Sequence, residues 1–118
     1  MELVYADIEL INGEDIGMAR RHIIGEDDIR KMNVNMLVDT GCVYLCINEN
    51  IQAQLQLPIT DRKTGQLADG RIVEYDVVSP IVIKFKNRKC TTSAMVLPGD
   101  NEPLLGAIPL EDMDILIH

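Results

Sequence analysis

Aromatic residues are scarce in this chain: three Tyr, one Phe and no Trp among 118 residues. A core without large rings has to be built from Val, Ile, Leu and Met, and a hydrophobic content of 47% supplies them. Bases are also in the minority, 11 against 19 acids, for a net charge of −8. Such a surface repels phosphate backbones. The densest basic group, Lys84, Lys86, Arg88 and Lys89, reads as the solvated face of a hairpin rather than a nucleic-acid stripe. No apolar run approaches membrane-spanning length, and no basic-then-apolar leader precedes the first strand. Neither nucleic acid nor membrane is therefore expected as a partner. Cysteines number three, and the odd count argues against a secreted disulfide framework. A reducing cytoplasm is the expected location.

The length suits a single domain, residues 1–118, able to bury roughly two-thirds of the surface its unfolded chain exposes. Alternation from Tyr5 to Ile11 predicts a half-buried strand. Residues 12–21 carry two glycines and suit a short helical turn, and "RRHII" (20–24) reads as a short strand. "GEDDIRKM" opens with a turn, after which "NVNMLVDTG" (33–41) predicts a strand that loses its polar alternation as it enters the core. "CVYLCIN" (42–48) is β-prone, and Asn48 is a candidate N-cap for a short helix with apolar residues at 51 and 55, stopped by Pro58. Asp69-Gly70 between β-capable arms predicts a hairpin with a tight two-residue turn. Ile81, Ile83 and Phe85 alternate cleanly, and a turn at Asn87-Arg88 leads into "KCTTSAMVLP". Pro109 suits the first position of a helix whose acids at 111 and 112 favour its N-terminus, and a β-prone "ILI" follows. Strands dominate and no repeat or linker divides the chain. An all-β, closed barrel with one or two short helices is expected.

One stretch carries chemistry. In "MLVDTGCVYLCIN" (36–48) the lone carboxylate of Asp39 stands between two apolar runs. A carboxylate so placed is costly unless paired, hydrogen-bonded or put to chemical use. Thr40 brings a hydroxyl that can bond backbone, and Gly41 permits close backbone approach. As a bare triplet Asp-Thr-Gly is also compatible with an Asx-turn at a strand end.

Three elements in order are more specific than the triplet: Val38-Asp39-Thr40-Gly41, the hairpin about Asp69-Gly70, and Leu104-Leu105-Gly106 before a short helix. With these the chain resembles the retropepsin-like aspartic peptidases, particularly their small single-domain bacterial relatives. The resemblance runs over nearly the whole chain from about Asn33. It implies an aspartic endopeptidase with no metal or other cofactor, and a peptide or protein substrate. It also implies a homodimer, because the chemistry needs two carboxylates and the chain has one Asp-Thr-Gly. Asp39 and its twin would form the dyad, with Thr40 locking the two loops and Gly41 admitting the neighbouring backbone. Ala68, Asp69 and Gly70 would form the tip of a flap over the substrate. Leu104 and Leu105, followed by Gly106, would pack under the active loop. Cys42 departs from the pattern, since alanine or serine usually follows the glycine in this family. A thiol is a weaker donor than a hydroxyl, so weakened activity is implied, and an oxidisable group stands beside the dyad.

Rival readings of the same residues are thinner. Cys42 and Cys46 lack zinc-knuckle spacing, and with His22 they would make at most a scattered metal site. A Cys42–His22 nucleophilic couple rests on residue types alone. The acids at 26–28 and 111–114 lack the alternation of a calcium loop. The stronger alternative is a non-catalytic dimeric peptide-binding or assembly module of the same fold, since fold does not fix activity.

Overall fold

The structure, a computed structural model, describes residues 3–66 and 69–115. β1 (Val4–Asn12) and β2 (Lys31–Val38) pair antiparallel in unbroken register from Val4 opposite Val38 to Ile11 opposite Lys31. Their alternation sends Ile8, Leu10 and Met36 into the core with no exposed surface. Between them the expected helical turn is a full two-turn helix, α1 (Gly13–Arg20). The Asn12 side-chain oxygen accepts the Asp15 N–H at 3.1 Å, and Glu14 and Asp15 occupy the first turn where the helix dipole favours acids. Residues 20–24 are not a strand. The N–H groups of Arg21, His22 and Ile23 close back onto the carbonyls of Gly17, Ala19 and Met18, so the α1 terminus takes the donors that a ladder would need.

Asn12 is 1% exposed and does double duty. Besides capping α1 it donates Nδ2 to the Leu55 carbonyl at 2.9 Å, tying β1 to a helix 43 residues away. Asn12→Ala removes the cap and strands a buried carbonyl together. A loss of roughly 2–4 kcal/mol is expected, from about 1 for a cap and about 1–3 for an unsatisfied buried group. Urea unfolding midpoints at constant m-value would show it.

The remaining elements are β3 (Leu45–Asn48), α2 (Glu49–Leu55), β4 (Ile59–Gln66), β5 (Ile72–Phe85), β6 (Arg88–Leu97), β7 (Leu104–Leu105) and α3 (Ala107–Asp112). The sheet order is β1-β2-β7-β3-β6-β5-β4, and β1 also pairs with β5, so the ladder returns on itself. The expected mainly β architecture is present. β5 serves three neighbours because an irregularity between Val78 and Ile81 divides it. Its first half pairs with β4, its second with β1, and both halves with β6. The core is aliphatic throughout, centred on Ile8, Leu10, Leu45, Ile47, Ile81, Ile83 and Leu105, with Phe85 only packed against its edge. Asn48 caps α2 by accepting the Ile51 N–H at 2.9 Å, and Ile51 and Leu55 are buried beneath it.

Local details differ from the sequence reading. The β5–β6 turn is Lys86-Asn87, because Phe85 pairs with Arg88 and Lys86 takes the positive φ of 53°. Gln66 opposes Ile72, a register that does not centre a two-residue turn on Asp69-Gly70, and residues 67 and 68 lie outside the described residues. Gly106 caps α3, which puts Pro109 third in the helix and the acids at 111 and 112 at its far end. Only Leu45–Asn48 of the 42–48 run is strand. Ile115 is outside any strand, and the rest of "ILI" lies outside the described residues. No helix among the described residues is long and apolar enough to cross a membrane.

Candidate active site

Val38, the last residue of β2, lies opposite Leu105 in a short parallel ladder. The Asp39 N–H then donates to the Leu105 carbonyl at 3.1 Å, while Leu37 donates to Pro103 at 3.2 Å. The strand is thus held right up to the carboxylate. Beyond it the chain reverses. Asp39 Oδ1 accepts the Gly41 N–H at 3.0 Å, and the Asp39 carbonyl accepts the Cys42 N–H at 3.0 Å. A Cβ on Gly41 would sit 3.2 Å from Oδ1, so glycine keeps that oxygen uncrowded. Asp39 and Cys42 are half-buried, whereas Thr40 and Gly41 are exposed. The second oxygen, Oδ2, accepts no hydrogen bond among the described residues.

The far side of the loop rests on α3. Its first N–H groups have no partner within the helix. Ala107 donates instead to the Cys42 carbonyl at 2.8 Å and Ile108 to the Val43 carbonyl at 3.0 Å. β7 runs parallel to β2 and antiparallel to β3, pairing Leu45 with Leu105 and Cys46 with Leu104. Two residues therefore hold both the strand entering the loop and the strand leaving it. Gly106 makes the fit possible. A Cβ there would meet the Tyr44 carbonyl oxygen and stand 2.7 Å from the Cys42 carbonyl oxygen.

The thiols behave differently from one another. Cys42 Sγ donates to the Tyr44 carbonyl at 3.4 Å and lies 3.8 Å from Cys46 Sγ. Its partners are these groups and not His22, which gives the Cys–His couple no support. No group of three or more potential metal ligands occurs among the described residues. Burial, reinforced by the neighbouring Cys42 and Asp39, pushes the Cys46 thiol up to about 12 from 9.0. Burial and Asp112 push Cys90 up to about 12 as well. In an unfolded chain both would ionise near the ordinary value, so the native state holds more protons between the two. Their stabilisation is complete below pH 9 and lost as pH rises towards 12. Thermal midpoints are expected to fall across that window, and Cys46→Ala should flatten the fall.

The hairpin of β4 and β5 stands beside this loop: Lys63 Nζ of β4 sits 4.1 Å from the centroid of the Tyr44 ring. At its end Gly70 takes a φ of 89°, and Asp69 accepts the Arg71 N–H at 3.0 Å and its Nε at 2.7 Å. Ala68 lies outside the described residues. Between the hairpin and the 97–104 segment runs a cleft of about 490 Å³, lined by Val73, Tyr75, Leu97, Pro98 and Leu104 among others. A larger hollow of about 600 Å³ lies between the hairpin and α2. Asp39 lines neither of them.

Residues 25–107, which include the Asp39 loop, the hairpin and Gly106, match the family model described as Aspartyl protease. The chain belongs to the retropepsin-like aspartyl protease family. No curated protein matches it. The sequence pattern singled out the Asp39 loop together with Leu104, Leu105 and Gly106, and the structure places these next to one another. The pattern missed Cys46 as a neighbour of Cys42, and it missed the helix N–H groups of Ala107 and Ile108, for which a sequence offers no marker.

Proposed function

We propose that this chain is an aspartic endopeptidase acting as a homodimer of closed-barrel subunits, with Asp39 of each copy forming the dyad. The carrying observation is a half-buried carboxylate fixed at a strand end by β7, with one oxygen hydrogen-bonded and the other without a hydrogen bond among the described residues, in a member of the aspartyl protease family. Exposed apolar residues support a partner at this place. Val4 pairs with Val38 next to Asp39, and Val43 adjoins Ile108 on the loop's other side. All but Val38 are at least 42% exposed, an arrangement that a second copy would cover.

Two carboxylates at close range share one proton. The ionised one takes a proton from water as the water oxygen attacks the peptide carbonyl. The protonated one donates to the carbonyl oxygen. Collapse of the resulting diol breaks the C–N bond, the amine takes up a proton, and the dyad returns to its singly protonated state. Thr40 would brace the paired loops and Gly41 would admit the twin backbone. Residues 68–70 would close over an extended peptide held by strand-like hydrogen bonds. Cys42 turns its thiol to Tyr44 and lends the carboxylate no hydrogen bond, which supports weak activity or the non-catalytic reading. Three free cysteines suit a reducing compartment such as the cytoplasm.

The test is cleavage of a diverse peptide library between roughly pH 4 and 7, where a dyad holds one proton. Activity per chain should fall on dilution, because the dyad exists only in the dimer. A dimer that cleaves nothing would leave only the binding-module reading, and a protein that is monomeric by light scattering at high micromolar concentration would overturn both, since each needs the twin chain.

A further inference from the structure

The two sulfurs nearest the Asp39 loop converge. Cys42 and Cys46 stand 3.8 Å apart, and both donate to one acceptor, the Tyr44 carbonyl, at 3.4 and 3.9 Å. They differ in setting. Cys46 belongs to β3, is 4% exposed and is fixed through its pairing with Leu104 and Met95. Cys42 lies in the irregular stretch before β3 and is half-buried. A disulfide requires sulfurs about 2.0 Å apart. Closing that gap falls to Cys42, which lies outside the β3 ladder that fixes Cys46.

We propose that Cys42 and Cys46 form an oxidative modification site, at which a hydroperoxide-class oxidant makes an intraloop disulfide that displaces the Asp39 loop. The Cys42 thiolate attacks the peroxide, taking one oxygen to become a sulfenic acid and releasing water or an alcohol. The Cys46 sulfur then attacks the Cys42 sulfur. Hydroxide leaves and takes the Cys46 proton as water, so two thiols are oxidised and one peroxide is reduced. Cys42 is the attacking thiol because it is the more accessible, and the buried Cys46, whose thiol is pushed up to about 12, is the resolving one. Displacing Cys42 strains two backbone bonds, its N–H to the Asp39 carbonyl and its carbonyl to the Ala107 N–H. The disulfide is thereby felt at the carboxylate. This consequence for catalysis rests on the peptidase reading, but formation of the bond does not.

Full-length protein, with Cys90→Ser to leave one dithiol, would be treated with hydrogen peroxide near stoichiometry. It would then be alkylated, digested with cleavage after Tyr44, and weighed. The expected result is one linkage joining the Cys42 and Cys46 fragments, reversed by dithiothreitol. In Cys46→Ala, a sulfenic acid at Cys42 trapped by dimedone supports the order of attack. Hydrogen exchange of the oxidised form should be faster at Cys42, Ala107 and Ile108, a readout that needs no peptidase activity. Thiols that both stay alkylatable in folded protein, linkage between chains instead of within one, or unchanged exchange would each overturn the proposal. Absent cleavage in the reduced protein would instead count against the peptidase reading.

Discussion

Asp39→Asn is expected to lower peptide cleavage by at least roughly 10²–10⁴-fold, the range for removing a positioned acid–base group. The substitution is nearly isosteric. An asparagine oxygen can still accept the Gly41 N–H now bonded at 3.0 Å to Oδ1, so the loop keeps its shape. What disappears is the group able to carry a proton, and it disappears from both copies of the dimer. Circular dichroism and light scattering should therefore match the wild type while activity falls. Mixing gives the sharper outcome. When equal amounts of both proteins exchange subunits at random, about half of the wild-type chains find a mutant mate. Activity per wild-type chain should then fall to about one half, because a heterodimer has one carboxylate where two are needed. Undiminished activity per chain, with exchange demonstrated, would place the second acid somewhere other than a twin Asp39. Cleavage retained by Asp39→Asn itself would remove the aspartic mechanism altogether.

The parts of this site that were legible in the sequence are those whose signal is local. Asn48 announces α2 because a cap is a contact between near neighbours, and Ile81 and Ile83 announce a core face through a period of two. The Asp39 triplet was legible through its resemblance to a family and its apolar frame. β7 was not legible as a strand, since two residues carry no period, yet its place between β2 and β3 holds the whole loop. The convergence of Cys42 and Cys46 was hidden for a related reason. On a continuous strand, residues four apart point the same way but stand well separated. They meet here because only Cys46 is in β3 while Cys42 belongs to the turn before it. The Lys86-Asn87 turn shows the limit of residue preference. Asparagine suits a positive φ better than lysine, but the pairing of Phe85 with Arg88 fixes which residue must take it.

Gly106→Ala is expected to be the most damaging small substitution in the molecule. A Cβ at that position would meet the Tyr44 carbonyl oxygen, with the Cys42 carbonyl oxygen at 2.7 Å and the Tyr44 amide nitrogen at 2.8 Å. All three are backbone atoms, so no side chain can rotate away, and either the 42–44 loop or the β7–α3 junction must move. Either movement pulls on the bonds from Ala107 to Cys42 and from Ile108 to Val43. Overpacking costs about 1–3 kcal/mol and each loosened hydrogen bond about 1 more, for a total of roughly 3–5 kcal/mol. For a chain of this size that lowers the thermal midpoint by roughly 10–25 °C. Gly17→Ala is the matched control. Gly17 lies within α1 with nothing inside 4 Å of an added Cβ, and alanine there should stabilise by about 0.5–1 kcal/mol. The two substitutions add the same methyl group, so opposite signs isolate the close approach from any general effect of glycine. Catalysis should also fail in Gly106→Ala below its melting point, because the Cys42 N–H bond to the Asp39 carbonyl is one link from the displaced atoms. A variant that melts within a few degrees of wild type, with the Ala107 and Ile108 amides still protected from exchange, would show that the loop can yield without moving the carboxylate. The rigid support of Asp39 by β7 and α3 would then be the wrong account of the site.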